Sequence, residues 1–499
     1  MPKKYLYREN PAIYEINTVA WLFELSKKSG KPVLLGDVPV QEWDRLRSLG
    51  MDFVWLLGVW DRSLEGLKIS LEDPEFRKLF DEVLPGCSNE DIVGSCFSIR
   101  SYGPDPLIGT WQDLDSARRE LNKRGMGLIL DFVPNHTGID HYWVAENPEY
   151  YIKVNERDYL KDESSYFPVE FAGKTSYIAH GRDPYFPPWT DTAQLNYFNP
   201  YTRKVMIDRL KEISQHCDGV RCDMAMLVLN EVFQKDWGWA NQNPAYPMPD
   251  KEFWTEAIQQ VPNLVYIAEA YWDTEWALQQ LGFDFVYDKR LYDRLRTGSI
   301  REIYLHLTAD ITYQKKLLRF IENHDESRSL TAFGRSKAEA AASLISTLPG
   351  MRLYFHGQLQ GFKEKMPIQI RRTKLEVVEI DIQTFYDQLL KKVNEPIFHG
   401  GSWQLKEVFK DTDNSFESLI SYLWVLNGEL RLVIVNLSRS DALGRICFQD
   451  DISESIEYTF SEKFTGRSFT TSGLLMAHPG LSFTLEGFQA QIFDISPKK

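Results

Sequence analysis

Gln41-Glu42-Trp43-Asp44-Arg45-Leu46-Arg47-Ser48-Leu49 runs into Gly50, and Phe53-Val54-Trp55-Leu56-Leu57 follows at once. Trp43, Leu46 and Leu49 fall on one helical face. Gly50 supplies the left-handed residue that commonly ends a helix. The apolar run after it reads as a strand buried on both faces. The same grammar returns in Asp115 to Arg124, Gly125 and Gly127 to Phe132. Arg203 to His216 with Gly219 to Asp223 repeats it without the glycine, as does Glu252 to Val261 with Leu264 to Glu269. Thr274 to Leu281, Gly282 and Phe283 to Tyr287 form a fifth copy. Helices alternating with near-continuous apolar strands predict a parallel sheet covered by helices. Ile13–Ile16, Leu318–Ile321 and Met351–Phe355 bring the strands to eight. Eight suits a closed (β/α)₈ TIM barrel; a doubly wound open sheet is the alternative.

Two stretches break the grammar. Residues 138–199 show little helical or strand periodicity, yet hold fourteen aromatic residues among 62, well above the 13% of the whole chain. That is too aromatic for a linker and predicts a small subdomain inserted after the third strand. Beyond residue 396, Leu419–Leu426, Asn427-Gly428 and Leu430–Leu437 read as a β-hairpin with a two-residue turn, and Gln489–Ile495 alternates as another strand. The expected division is a barrel over 1–137 and 200–395, the insert over 138–199, and a C-terminal all-β sandwich over 396–499.

Composition narrows the function classes. With 499 residues, 43% hydrophobic and 26% charged, the chain can bury a large core. A net charge of -14 argues against nucleic acid as a partner and is neutral toward sugars. Cys87, Cys96, Cys217, Cys222 and Cys447 are odd in number and lack a Cys-x-x-Cys pair, which reads as free thiols in a reducing compartment. Met1 to Asn10 lacks a signal peptide's apolar core, and no apolar run nears the ~18 residues of a membrane helix. The expectation is a cytoplasmic protein with no membrane partner.

Four acid-bearing segments fall where candidate strands end: Asp131 to His136, Gly219 to Asp223, Ile267-Ala268-Glu269, and Phe320 to Asp325. In a barrel these ends form the active-site rim, so carboxylates distant in sequence converge there. Converging carboxylates suit glycoside hydrolysis. One attacks the sugar carbon, and a protonated one releases the leaving oxygen. Singly, each acid is as well explained by a helix cap or ion pair. Arg221 shares a strand face with Asp223 and serves equally as its structural partner.

The set as a whole resembles the α-amylase family of retaining α-glucan hydrolases and transglycosylases. Asp131 to His136 is similar to its Asp-x-Val-x-Asn-His signature, and Gly219 to Asp223 to its Gly-x-Arg-x-Asp. Glu269 stands where the third signature has its acid, and Phe320 to Asp325 ends in the fourth's Asn-His-Asp. The resemblance implies a nucleophile at Asp223, a general acid/base at Glu269 and a transition-state stabiliser at Asp325. It implies substrate binding by His136, Arg221, His324, Phe97 and Asp131, with Phe97 standing for the family's stacking tyrosine. A small α-glucoside is the implied partner; no cofactor is expected.

Departures are informative. Met226 and Leu227 stand where many members carry a Lys-His pair that binds glucose beyond the cut, which predicts short substrates. The insert's usual Asp-Leu-Asn is Gln194-Leu195-Asn196 here, so an acidic calcium ligand is lost and no metal is expected. Arg371-Arg372 is read as a solvated loop, with a sugar phosphate as the other option. A transferase on the same catalytic set and a non-enzymatic sugar-binding barrel are the rival functions.

Overall fold

The computed structural model describes residues 5–240 and 243–498; the reading of the first ten residues therefore lies partly outside it. Eight parallel strands follow one another around a closed barrel: β1 (Ala12–Asn17), β2 (Phe53–Leu57), β3 (Gly127–Phe132), β4 (Gly219–Cys222), β5 (Val265–Ala268), β6 (Phe285–Tyr287), β7 (Leu317–Arg319) and β8 (Met351–Phe355). Closure is direct. β1 pairs with β2 on one side and with β8 on the other, Tyr14 opposite both Val54 and Tyr354. An open sheet has no such pairing.

Strand alternation sorts the core into two layers. Ile13, Trp55, Ile129, Ile267 and Leu353 belong to the inner cluster, while Tyr14, Val54, Leu128, Tyr266 and Tyr354 pack outward under the helices. The same period carries Glu15 along with Ile13, Asp131 with Ile129, and Glu269 with Ile267. Acids at the strand ends are thereby aimed into the barrel mouth. Gly50 ends the helix Val40–Ser48 at φ 82, as its position predicts.

Three parts depart from the barrel, and the first two contribute residues to that mouth. After β2 the chain spends residues 58–110 on an antiparallel pair, Trp60–Arg62 with Ile99–Pro104, and two helices, Leu64–Glu72 and Pro74–Val83. The sequence grammar did not separate this segment from the barrel. After β3 comes the aromatic stretch. It contains more strand than expected: Tyr166–Phe171, Lys174–Ala179 and Lys153–Val154 form an antiparallel sheet. The outer strand Tyr166–Phe171 is largely exposed and carries Pro168, so alternation is weak there; proline is tolerated on an edge. The C-terminal part forms a six-stranded and a three-stranded antiparallel sheet over a shared core that includes Leu432, Phe460 and Phe483. Its hairpin turns at Asn427 and Gly428, φ 51 and 83, the paired positive angles of a two-residue turn. Trp424 docks it on the barrel by donating to the carbonyl of Thr347.

Candidate active site

The strand ends open on a cavity of about 1060 Å³ lined in part by Phe97, His136, Asp223, Glu269 and Asp325. Arg221 organises its floor. The guanidinium is fully buried, with Nη1 2.6 Å from Asp223 Oδ1 and Nη2 2.9 Å from Glu269 Oε2. Its Nε donates to the Tyr287 hydroxyl at 3.2 Å, and the rings of Trp55 and Phe97 lie 5.1 and 5.3 Å from Cζ. A desolvated cation needs such partners, because an uncompensated buried charge costs about 3–5 kcal/mol.

Glu269 has two further donors. The Met224 amide reaches Oε2 at 2.6 Å and the Tyr271 hydroxyl reaches Oε1 at 2.8 Å. Met224 takes a left-handed backbone, φ 41, to present that amide. Burial, and then the neighbouring Glu269 charge, push the Asp223 carboxyl upward against the pull of Arg221.

Asp325 hangs from the loop after β7, where Asn323 Oδ1 accepts the amides of Asp325 and Glu326. His324 lies between carboxylates, Nδ1 2.6 Å from Glu15 and Nε2 3.0 Å from Asp325. Burial lowers the imidazole's proton affinity, but Asp325 and Glu15 prevail and raise it to about 10. In turn the imidazolium outweighs burial at Asp325 and holds its carboxyl well below the usual range. His136 differs: burial lowers it to about 4, so it is a neutral imidazole at the cavity wall. A fixed anion at Asp325 and an Asp223 carboxyl whose proton affinity is raised face the same space as Glu269, an arrangement that can stabilise positive charge and exchange a proton with a bound molecule.

Three residues expected to touch the sugar do not line the cavity. Asp131 is spent on the barrel, accepting from Trp55 Nε1 at 3.0 Å and the Gly58 amide at 2.7 Å. Arg221 lies beneath the carboxylates it pairs, and His324 behind Asp325. All three act on the site through other groups. Met226 and Leu227 are buried in the core and offer the cavity nothing. Arg372 is half-buried and does more than face solvent: it grips both oxygens of Asp91 at 2.6 and 2.8 Å.

Sequence reasoning missed Glu15, Tyr271, Tyr287 and Trp272. Glu15 had a signal, as the one acid in the apolar run Ala12-Ile13-Tyr14-Glu15-Ile16. Tyr271 and Trp272 follow Glu269 after a single residue, Ala270, and Tyr287 ends a strand.

The Alpha amylase catalytic-domain model matches residues 40–408. This chain belongs to the alpha-amylase family. Among its relatives, Alpha-amylase MalA of Haloarcula japonica is 24% identical over 447 residues, 86% of this chain and 56% of that protein. An Alpha-glucosidase of Culex pipiens is 24% identical over 336 residues, 57% of this chain and 56% of that one. The chain spans about half the length of the curated relatives it matches. In fold it is similar to a noncanonic maltogenic alpha-amylase, AmyB of Thermotoga neapolitana. The TM-score is 0.69 at 20% identity, covering 97% of this chain and 98% of the other.

Calcium, which family membership implies between Asn135 and the insert, does not fit these residues. Gln194 Nε2 donates to Asn135 O at 3.0 Å, Asn135 Oδ1 at 2.9 Å and Leu195 O at 3.1 Å. An N–H donor thus faces the oxygens that a cation would need. Among the described residues no cluster of three or more His, Cys, Asp and Glu could hold a metal.

Proposed function

We propose that this chain is a retaining hydrolase of α-glucosidic bonds in short α-glucans or disaccharides. The observation that carries the reading is the single Arg221 guanidinium bridging Asp223 and Glu269 on the cavity floor. One guanidinium holds two carboxyls close, in keeping with the ~5–5.5 Å of retaining enzymes rather than the ~6.5–9.5 Å of inverting ones. The alpha-amylases and alpha-glucosidase among its relatives support the substrate class.

In this reading Asp223 attacks the anomeric carbon as the glycosidic C–O bond breaks. The bonding pair leaves on the glycosidic oxygen, which takes the proton from Glu269. Glu269 can carry that proton on Oε1, since the Tyr271 hydroxyl beside it accepts as well as donates. Water then gives a proton to Glu269, bonds to the anomeric carbon and frees Asp223. Asp325, held anionic by His324, faces the positive charge that builds on the ring. The short-substrate preference rests on the buried Met226 and Leu227, which leave the far side of the cut without the family's polar contacts. Five unpaired cysteines suit a cytoplasmic setting.

The test uses Glu269→Gln with a glucosyl donor bearing a good leaving group. Mass spectrometry is expected to find the sugar on Asp223; a label on any other residue overturns the assignment. A panel of maltose, maltotriose, isomaltose, trehalose, sucrose and starch, with and without an added sugar acceptor, separates hydrolysis from transfer.

A further inference from the structure

One side of the cavity is walled by the segment before Phe97 and the loop that follows β8. From Phe97, whose ring lies 5.5 Å from His324, the backbone rises through Ser95, which also lines the cavity. Just beyond, it is stitched to the loop that follows β8. The Val93 amide donates to the Gln369 carbonyl at 2.7 Å, the Arg371 amide to the Asp91 carbonyl at 2.9 Å, and Ile92 bridges Ile370 antiparallel. The bidentate Asp91–Arg372 pair locks that seam. Behind it the two helices after β2 share a small core, in which Phe80, Leu84, Cys87 and Ile92 meet Ile370. Ile69, Ser70, Asp73 and Phe76 from those helices, with Ile368 and Gln369 from the loop, face the cavity. The same loop reaches the acid itself, since Lys365 Nζ donates to the Asp325 carbonyl.

The chemistry orients this wall. In the proposed mechanism the attacked sugar sits over Asp223 beside Phe97 and Asp325, and the leaving group faces Glu269 with the Tyr271 hydroxyl bonded to it and Trp272 next in the chain. The wall therefore stands beyond the attacked sugar, where a longer chain would continue toward its non-reducing end. An open cleft would let a polymer pass; a packed wall with an ion-paired seam does not yield to one.

We propose that the enzyme acts from the non-reducing end, releasing one short glycosyl unit whose far hydroxyls abut the wall of 64–93 and 366–372. This rests on the proposed function and adds the direction and mode of attack. None of the residues of the Asp91–Arg372 seam touches the catalytic carboxyls.

The experiment compares two maltoheptaoses, both labelled at the reducing end and one capped at the non-reducing end by a 4,6-acetal, followed by chromatography. The uncapped chain is expected to shorten by a constant step. The capped chain is expected to react about a hundredfold more slowly, the scale of forcing extra atoms against a packed surface. Arg372→Ala, which opens the seam, is expected to raise cleavage of the capped chain relative to the uncapped one; Asp91→Asn serves if the first variant does not fold. Equal rates on both chains with internal cuts overturn the inference and leave the hydrolase reading standing. No cleavage of either chain or of the disaccharide panel overturns the hydrolase reading and this inference with it.

Discussion

The two ends of the cavity are made by opposite means. Beside Asp325 stand two helices, a backbone seam and a small apolar core, with Arg372 pinned to Asp91. Beside Glu269 stand exposed aromatic rings on loops. Tyr185 and Phe186 are 69% and 68% exposed, and Tyr185 meets Trp272 edge-on at 5.1 Å. Trp272 and the next residue, Asp273, both take left-handed backbone, φ 59 and 66, a conformation that costs a non-glycine residue about 1–2 kcal/mol. The ion pair of Asp273 with Arg290 helps to hold them there. The contrast is between a side packed against a small core and tied by an ion pair and a side of exposed rings on loops. On the proposed mechanism, the packed side would meet the attacked sugar and the exposed rings the leaving group.

The largest effect belongs to the floor that both ends serve. Asp223→Asn keeps the shape of the side chain and is expected to lower kcat by about four orders of magnitude or more. Steady-state rates on maltotriose check it. Unchanged turnover in the folded variant would mean that the wall and the aromatic side frame something other than catalysis.

Next comes the support of the walled end. His324→Asn leaves Glu15 buried without its cation and is expected to cost about 3–5 kcal/mol, seen as a lowered Tm. The native protein should show the same interaction through pH. The imidazole's ordinary value is 6.5 and its folded value about 10. The stabilisation is thus complete below pH 6.5 and is lost as pH rises through about 10. Melting curves from neutral to alkaline pH should show that loss in the native protein and not in the variant.

A smaller effect is expected at the open end. Trp272→Ala removes ring surface from the leaving-group side and should raise KM about tenfold, with kcat little changed. Should Trp272→Ala instead abolish turnover while leaving KM alone, the open end would belong to the chemistry, and the contrast between the two ends would fail. The smallest effect is that of a chelator. EDTA is expected to leave Tm and activity where they were; a large fall reversed by calcium alone would show that Gln194 does not do the work assigned to it.

The same contrast explains what could be read in the sequence. β2 and β8 were delimited to the residue because an apolar run buried on both faces advertises itself. The acids at strand ends were legible because the four signatures come in order. The wall was not. The partner of Arg372 lies 281 residues away and that of His324 lies 309 residues away, so neither pairing leaves a local trace. The helices Leu64–Glu72 and Pro74–Val83 obey the helical period of the barrel's own helices, and pattern alone gave no reason to set them apart. Asp131 shows the converse. Its place in a signature implied a sugar contact, while Trp55 and Gly58 had already taken its oxygens.

Gln194 has a consequence for where the protein can work. A bound ion contributes a stability that rises and falls with its supply, as RT ln(1 + [L]/Kd). The amide that faces Asn135 and Leu195 belongs to the chain, so its local concentration does not change when the medium is diluted or calcium is sequestered. The Gln194 contacts at the junction between insert and barrel therefore do not depend on the supply of an ion. At that seam the chain supplies its own link between Gln194, Asn135 and Leu195.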